Sequence, residues 1–386
     1  MFSAASGTGH AAHSMHEAIR TAPRTKSGVF MRRTDRVDPS PAFHAGNATL
    51  AKFESTCYKT SMAQFHEQLL HALADGEPFA LGVISGIKGS SPQKQGAKAL
   101  FFADGRIVGT LGGGCLEAEI QDRARRALRT GEPATFDLVL DHDFGWDDGL
   151  ICGGKVTGLI LPRAAESAAL WQELARRERT RTWGVREDFS IDWADTAEVT
   201  APNWLYRETV FPPCALWIAG SGHVAQAVAP LAAQVDFAIT VFDDRPTFAN
   251  RQFFPEAAEF RIGSWDDLLK ESLPSRPTLG LIVTRGHQRD ALVLAEWVRR
   301  PFAFLGMIGS RRKKRLIFDQ FLADRLATEA ELARVVCPVG VDIQSVSVPE
   351  IGVSIVAQLI QRRAELLRAA AKDLNLATVA VPAPTP

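Results

Sequence analysis

The sequence predicts an α/β chain of two domains, a mixed α+β domain followed by one built on a parallel sheet. Three observations carry that prediction. At 386 residues the chain exceeds what one hydrophobic core usually serves. From Ala215 to Arg245 an apolar strand, a glycine-rich turn, a helix and a second apolar strand follow in order, a βαβ unit whose crossover helix implies parallel strands. Before Phe211, short β-rich runs alternate with helical stripes.

Residues 1–60 are rich in Ala, Ser, Thr, His and Arg and show neither period, so they read as a disordered extension, with Met31 and Met62 as alternative starts and His10, His13, His16 and His44 as solvated side chains. The first domain is placed at 61–210. It opens on a helix whose Phe65, Leu69, Leu70 and Leu73 form one stripe before Gly76. A strand is expected over 79–89, two short strands around an Asp104-Gly105 turn over 98–111, and a helix over 115–131. FDLVL and KVTGLILP give two more strands, separated by an acidic, glycine-rich stretch at 141–154. A helix from about Ala165 to Arg177 and weakly strand-like sequence lead to the linker Phe211-Pro212-Pro213, where two prolines resist helix and sheet alike. The second domain is placed at 211–375. After the βαβ unit, strands are expected near 261, 281 and 305, helices at 265–272 and 289–299, and a long helix from about Pro349 to Asp373, with 376–386 a frayed tail.

Lys plus Arg and Asp plus Glu both total 44, so no excess of basic charge favours nucleic acid or an anionic membrane as partner. No apolar run approaches the roughly 20 residues of a spanning helix. Cys57, Cys115, Cys152, Cys214 and Cys337 are odd in number and lack a CxxC pair, which argues against a disulfide framework and for a reducing, cytoplasmic setting.

Chemistry concentrates in a few turns. In GTLGGGCLEAE (109–119), Gly112, Gly113 and Gly114 deliver Cys115 to the first turn of a helix, where bare backbone amides can surround an anion and the helix dipole favours a thiolate. A buried, inert cysteine in a tight turn is the competing reading. The loop KGSSPQKQGAK (88–98) is expected beside this turn, and Cys152 in GLICGG is a second cysteine flanked by glycines. A meander of the intervening strands would bring both to one end of the sheet. Gly220, Gly222 and Ala225 make a GxGxxA between strand and helix, with Asp243 ending the next strand, as a Rossmann-like dinucleotide turn and its ribose acceptor require. His223 faces the phosphate position, and Asp244 and Arg245 add charge. NAD(P), another nucleotide and no ligand all remain open. In RGHQRD (285–290), His287 and Asp290 fall at the carboxyl edge of the sheet, His287 as a general base, a phosphate donor or a helix cap. GMIGSRRKK (306–314) offers Ser310 and Arg311 to phosphate, while Lys313 and Lys314 read as a solvated face. No Ser-His-Asp order, HExxH, P-loop or paired-cysteine zinc spacing appears.

Taken together, GSSPQKQGAK, GTLGGGCLEAE, GLICGG, IAGSGHVAQAVA, VFDDRP, FLGMIGSRRK, CPVGVDI and PEIGVSIVAQL resemble, in the same order, the XdhC/CoxI family of xanthine dehydrogenase accessory proteins. The resemblance spans roughly Ala63 to Ala364. It implies a chaperone that binds molybdenum cofactor (molybdopterin) as cargo, supports its sulfuration by a cysteine desulfurase and inserts it into apo-xanthine dehydrogenase or a related molybdenum hydroxylase. Under it Cys115, with Cys152 second, is the metal or sulfur contact, and Gly220, Gly222, His223, Asp243, Arg245, Ser310 and Arg311 match the family's cofactor-side motifs. Arg285 stands where the family commonly has a histidine. A homodimer is a further expectation. The alternative is an NAD(P)-dependent oxidoreductase with His287 as acid or base.

Overall fold

Hydrophobic alternation along the first strands sets the architecture. A computed structural model describes residues 62–140, 154–194, 204–270 and 277–373. The expected extension at 1–60, the stretch at 141–153 and the tail at 376–386 lie outside the described residues. Strands β1 (Phe79–Lys88), β2 (Lys98–Phe102), β3 (Ile107–Gly109), β4 (Ala134–Leu140) and β5 (Gly154–Leu161) form an antiparallel sheet in the order β3-β2-β1-β5-β4. Phe79, Leu81 and Val83 of β1 point to one face, and Ala80 and Ile84 to the other. Because successive strand side chains alternate, both faces must be covered. Helix α2 (Gly114–Thr130) covers one with Leu116, Ile120 and Ala124. Helices α1 (Met62–Ala74) and α3 (Ala168–Arg176) cover the other, joined by a small sheet of β6 (Arg181–Arg186), β7 (Ile191–Trp193) and β8 (Trp204–Val210), ordered β7-β6-β8. The helix expected at 165–177 divides into a 3-10 turn at Ala164–Ser167 and α3. Trp171 is the centre of this core. Its indole donates to the Ala164 carbonyl at 2.7 Å and its ring meets Trp183 edge-on, centroids 4.9 Å apart.

The strands do not run as a meander. Helix α2 carries the chain across the sheet, so the β4-β5 hairpin adds beside β1 instead of beside β3. Antiparallel pairing still leaves the end of β1, the starts of β2 and β5 and the end of β3 at one edge.

After residues 211–213 the periodicity changes to near-continuous apolar strands, as sheets buried on both faces require. Strands β9 (Cys214–Ala219), β10 (Phe237–Asp243), β11 (Glu259–Ile262), β12 (Thr278–Ile282), β13 (Phe304–Met307) and β14 (Val335–Val336) form a parallel sheet ordered β11-β10-β9-β12-β13-β14. That is the doubly wound Rossmann order, with its reversal between β9 and β12. Helices α4 (His223–Gln234) and α9 (Val348–Asp373) cover one face, while α6 (His287–Trp297) and α7 (Arg311–Ala323) cover the other. The helix expected at 265–272 is a single turn, α5 (Trp265–Leu268). Two elements were not legible: α8 (Glu329–Ala333), set by a Thr328/Glu331 capping box, and β14, a two-residue strand too short to show a period.

The two regions are bolted together at the amino edge of the parallel sheet. Arg177 grips the Asp236 carboxylate with both Nη atoms, at 2.5 and 2.7 Å, and donates to the Phe211 carbonyl, so one buried guanidinium holds linker and sheet at once.

Candidate functional sites at the glycine turns

The Gly112–Gly114 turn is built by its own helix. All three glycines have positive φ, at 133°, 75° and 59°, a path L side chains resist. Glu117, 6% exposed, reaches back to accept from the Leu111 amide at 2.8 Å and from the Thr110 hydroxyl at 2.6 Å, while that hydroxyl accepts from the Gly112 amide at 3.1 Å. Glu117 is thus a tie for the turn. Cys115 takes the second position of α2. A Cβ on Gly113 or Gly114 would meet nothing within 4 Å, so the turn is open on that side.

The 88–98 loop lies where the sequence puts it. A Cβ on Gly112 would stand 3.2 Å from Pro92 Cγ, and one on Gly154 would stand 1.8 Å from the Ser90 carbonyl oxygen. The loop therefore touches both the turn before Cys115 and the start of β5. Cys152, two positions before Gly154, lies outside the described residues.

At the carboxyl edge of the parallel sheet, Gly220 (φ 114°) leaves no room for a side chain, since its Cβ would fall 2.5 Å from the Val283 carbonyl oxygen. Gly222 faces open space, as close phosphate approach needs. Asp243 ends β10 and is 1% exposed. Its Oδ2 accepts from the Ser221 amide and hydroxyl, both at 2.7 Å, and from Arg245 Nη2 at 3.0 Å; its Oδ1 accepts from the Arg245 amide and Nε. Burial alone would raise this carboxyl, but the hydrogen bonds from Arg245 and Ser221 outweigh it and hold it down at about 2. Asp244 bridges the reversal point, accepting from Arg285 Nη2 at 3.2 Å and lying 3.4 Å from Arg289.

His223, His287 and Arg311 are exposed in the first turns of α4, α6 and α7, so these residues share one edge. Ser310 caps α7 by accepting from the Lys313 amide at 3.1 Å. Asp290 is fully buried: Oδ1 accepts from the Thr284 amide at 3.0 Å and hydroxyl at 2.6 Å, and Oδ2 pairs with Lys313, whose Nζ also donates to the Ile308 carbonyl at 3.1 Å. Lys313 is therefore no solvated face residue. Its position three after the capping serine was the available signal, because that spacing returns a side chain to the cap's side of the helix. Ser221 and Thr284 were also missed, each a short polar residue inside a glycine turn. Burial pushes the Cys337 thiol, beside Gly309, upward.

These two turn systems correspond to known sequence families. The family model described as "XdhC and CoxI family" matches residues 72–140, and that described as "XdhC Rossmann domain" matches residues 216–359. The chain belongs to the XdhC/CoxI family. Among relatives it is similar to a probable xanthine dehydrogenase subunit from Bacillus subtilis (strain 168), 25% identical over 334 residues covering 78% of this chain and 98% of that one. It is similar to the molybdenum cofactor insertion chaperone PaoD of Escherichia coli (strain K12), 28% identical over 308 residues, 76% of this chain and 86% of PaoD. It also matches the uncharacterized protein YqeB of Escherichia coli (strain K12), 28% identical over 285 residues covering 74% of this chain, but spans only 43% of YqeB. Among solved structures, a crystal structure of a xanthine dehydrogenase from Bacillus halodurans shares the fold with a TM-score of 0.66 and 26% identity, over 78% of this chain and 96% of that one. Both XdhC/CoxI segments thus carry a glycine turn at a helix N-terminus. Among the described residues no helix is long and apolar enough to cross a membrane.

Proposed function

We propose that this protein is a carrier and maturation factor: it binds molybdenum cofactor as cargo, holds it while a cysteine desulfurase supplies sulfur, and inserts it into apo-xanthine dehydrogenase or a related molybdenum hydroxylase in the cytoplasm. The observation that carries this reading is the contrast at the two turns. Backbone cradles stay open at Gly113, Gly114 and Gly222, whereas the buried carboxylates Asp243 and Asp290 are committed to internal partners. Such an edge suits holding an anion more than moving protons. The cargo brings its metal already ligated by a pterin, so it asks the protein for one soft ligand and phosphate contacts; Cys115 supplies the first, with Cys152 as the second thiol, and His223, Ser310 and Arg311 the others. A homodimer belongs to the same proposal. An NAD(P)-dependent oxidoreductase would need His287 oriented by a carboxylate, and the neighbouring Asp290 is spent on Thr284 and Lys313.

The test is transfer. Cofactor-loaded protein is mixed with apo-hydroxylase and hydroxylase turnover is followed, with protein lacking cofactor and free cofactor as controls. Activation by the loaded protein well above free cofactor is expected; activation no better than free cofactor overturns the carrier role.

A further inference from the structure

Beneath the 88–98 loop lies a buried ion pair that the carrier reading does not use. Lys98 opens β2 with its side chain 6% exposed, and its Nζ stands 2.6 and 2.8 Å from the two carboxylate oxygens of Glu208 in β8. The same ammonium donates to the Gly96 carbonyl at 2.8 Å. Around it, Trp183 of β6 donates its indole N–H to Glu208 Oε2 at 3.1 Å, and the Tyr206 hydroxyl bonds Glu208. Gly96, at φ 88°, fits against this group closely: a Cβ there would stand 3.3 Å from the Tyr206 hydroxyl and 3.7 Å from Glu208 Oε1.

A buried pair of this kind is a poor source of net stability, because desolvating both charges offsets their attraction. Its placement explains it better. It joins two sheets at the residue where the loop re-enters β2, while the loop's other contacts are Pro92 on Gly112 and Ser90 on Gly154. We infer that Lys98 and Glu208 are positioning residues: they fix the 89–97 loop as a wall of the Cys115 turn. Glu208 stands three residues before Phe211, so the strand that anchors the loop also runs into the Arg177 clamp. The placement of the loop does not depend on what the turn carries.

The decisive variant is Lys98→Met/Glu208→Gln, which removes both charges together while the side-chain amide keeps an acceptor for Trp183 and Tyr206. Peptide-resolved hydrogen exchange and the rate of Cys115 alkylation by iodoacetamide are read on the full chain without cofactor. The expected result is a cooperative fold with amide exchange in 89–96 and 110–114 at least ten-fold faster and alkylation of Cys115 accelerated about three-fold. Wild-type rates in a folded double variant overturn the inference. Should that variant not fold, Gly96→Ala pushes the loop end off the pair with both charges kept, and unchanged exchange there overturns it equally. Lys98→Arg, which keeps a cation against Glu208, restores most of the protection. Failure of this inference leaves cofactor transfer untouched, since the two readouts are separate.

Discussion

Asp243 shows how much one carboxylate organises. Ordinarily near 3.8, its pKa is held at about 2 because Arg245 and Ser221 stabilise the ion more than burial penalises it. A depressed carboxyl contributes stability above its unfolded pKa and loses it as pH falls through the folded one, so the contribution fades between about pH 4 and pH 2. The shift corresponds to roughly 2 kcal/mol. Asp243→Asn is therefore expected to unfold more easily at pH 7, with the gap to wild type in urea unfolding closing between pH 4 and pH 2. A gap that does not change with pH contradicts this account of the turn. The place of Asp243 at the end of β10 was readable from its spacing after the GxGxxA, but its partners were not, because hydrogen bonding from the intervening Ser221 leaves no periodic trace. The Gly112–Gly114 turn was readable for the opposite reason: three adjacent glycines announce a backbone path that other residues resist.

Among elements, the apolar strands and the amphipathic helices followed directly from their periods, since β9, β10 and β12 must be apolar on both faces and α2 on one. What stayed hidden depended on pairing across the chain. The order β3-β2-β1-β5-β4 and the strand β14 are set by tertiary contact, and no local pattern encodes them. The same holds for the Asp290–Lys313 tie, which links the first turns of α6 and α7 across 23 residues of sequence. Removing one member leaves a charge without its partner, so Asp290→Ala is expected to lower unfolding free energy by about 3 kcal/mol. Asp290→Asn, keeping the acceptor for Thr284, is expected to lose less. Equal stability of Asp290→Ala and wild type in chemical denaturation would show the tie to be ornamental.

For the whole molecule, one sheet displays the Cys115 turn and another the Gly220–Gly222 turn at its carboxyl edge, and the Arg177 clamp holds the second region by the edge opposite its glycine turn. Membership in the XdhC/CoxI family joins those halves; the βαβ unit from Ala215 to Arg245 made the fold class legible in the sequence, and the resemblance of its motifs supplied the cargo expectation. Arg285, where the resemblance leads one to expect a histidine, donates to Asp244 at the rim at 3.2 Å. The central claim, that this assembly carries molybdenum cofactor on Cys115, is tested most directly by composition. The protein and its Cys115→Ala variant are produced in a host that makes the cofactor, purified without oxygen, and assayed for molybdenum and pterin per chain. Carriage predicts both in the wild type and neither in a folded variant; wild type free of both, or equal loading of the two proteins, would contradict the claim.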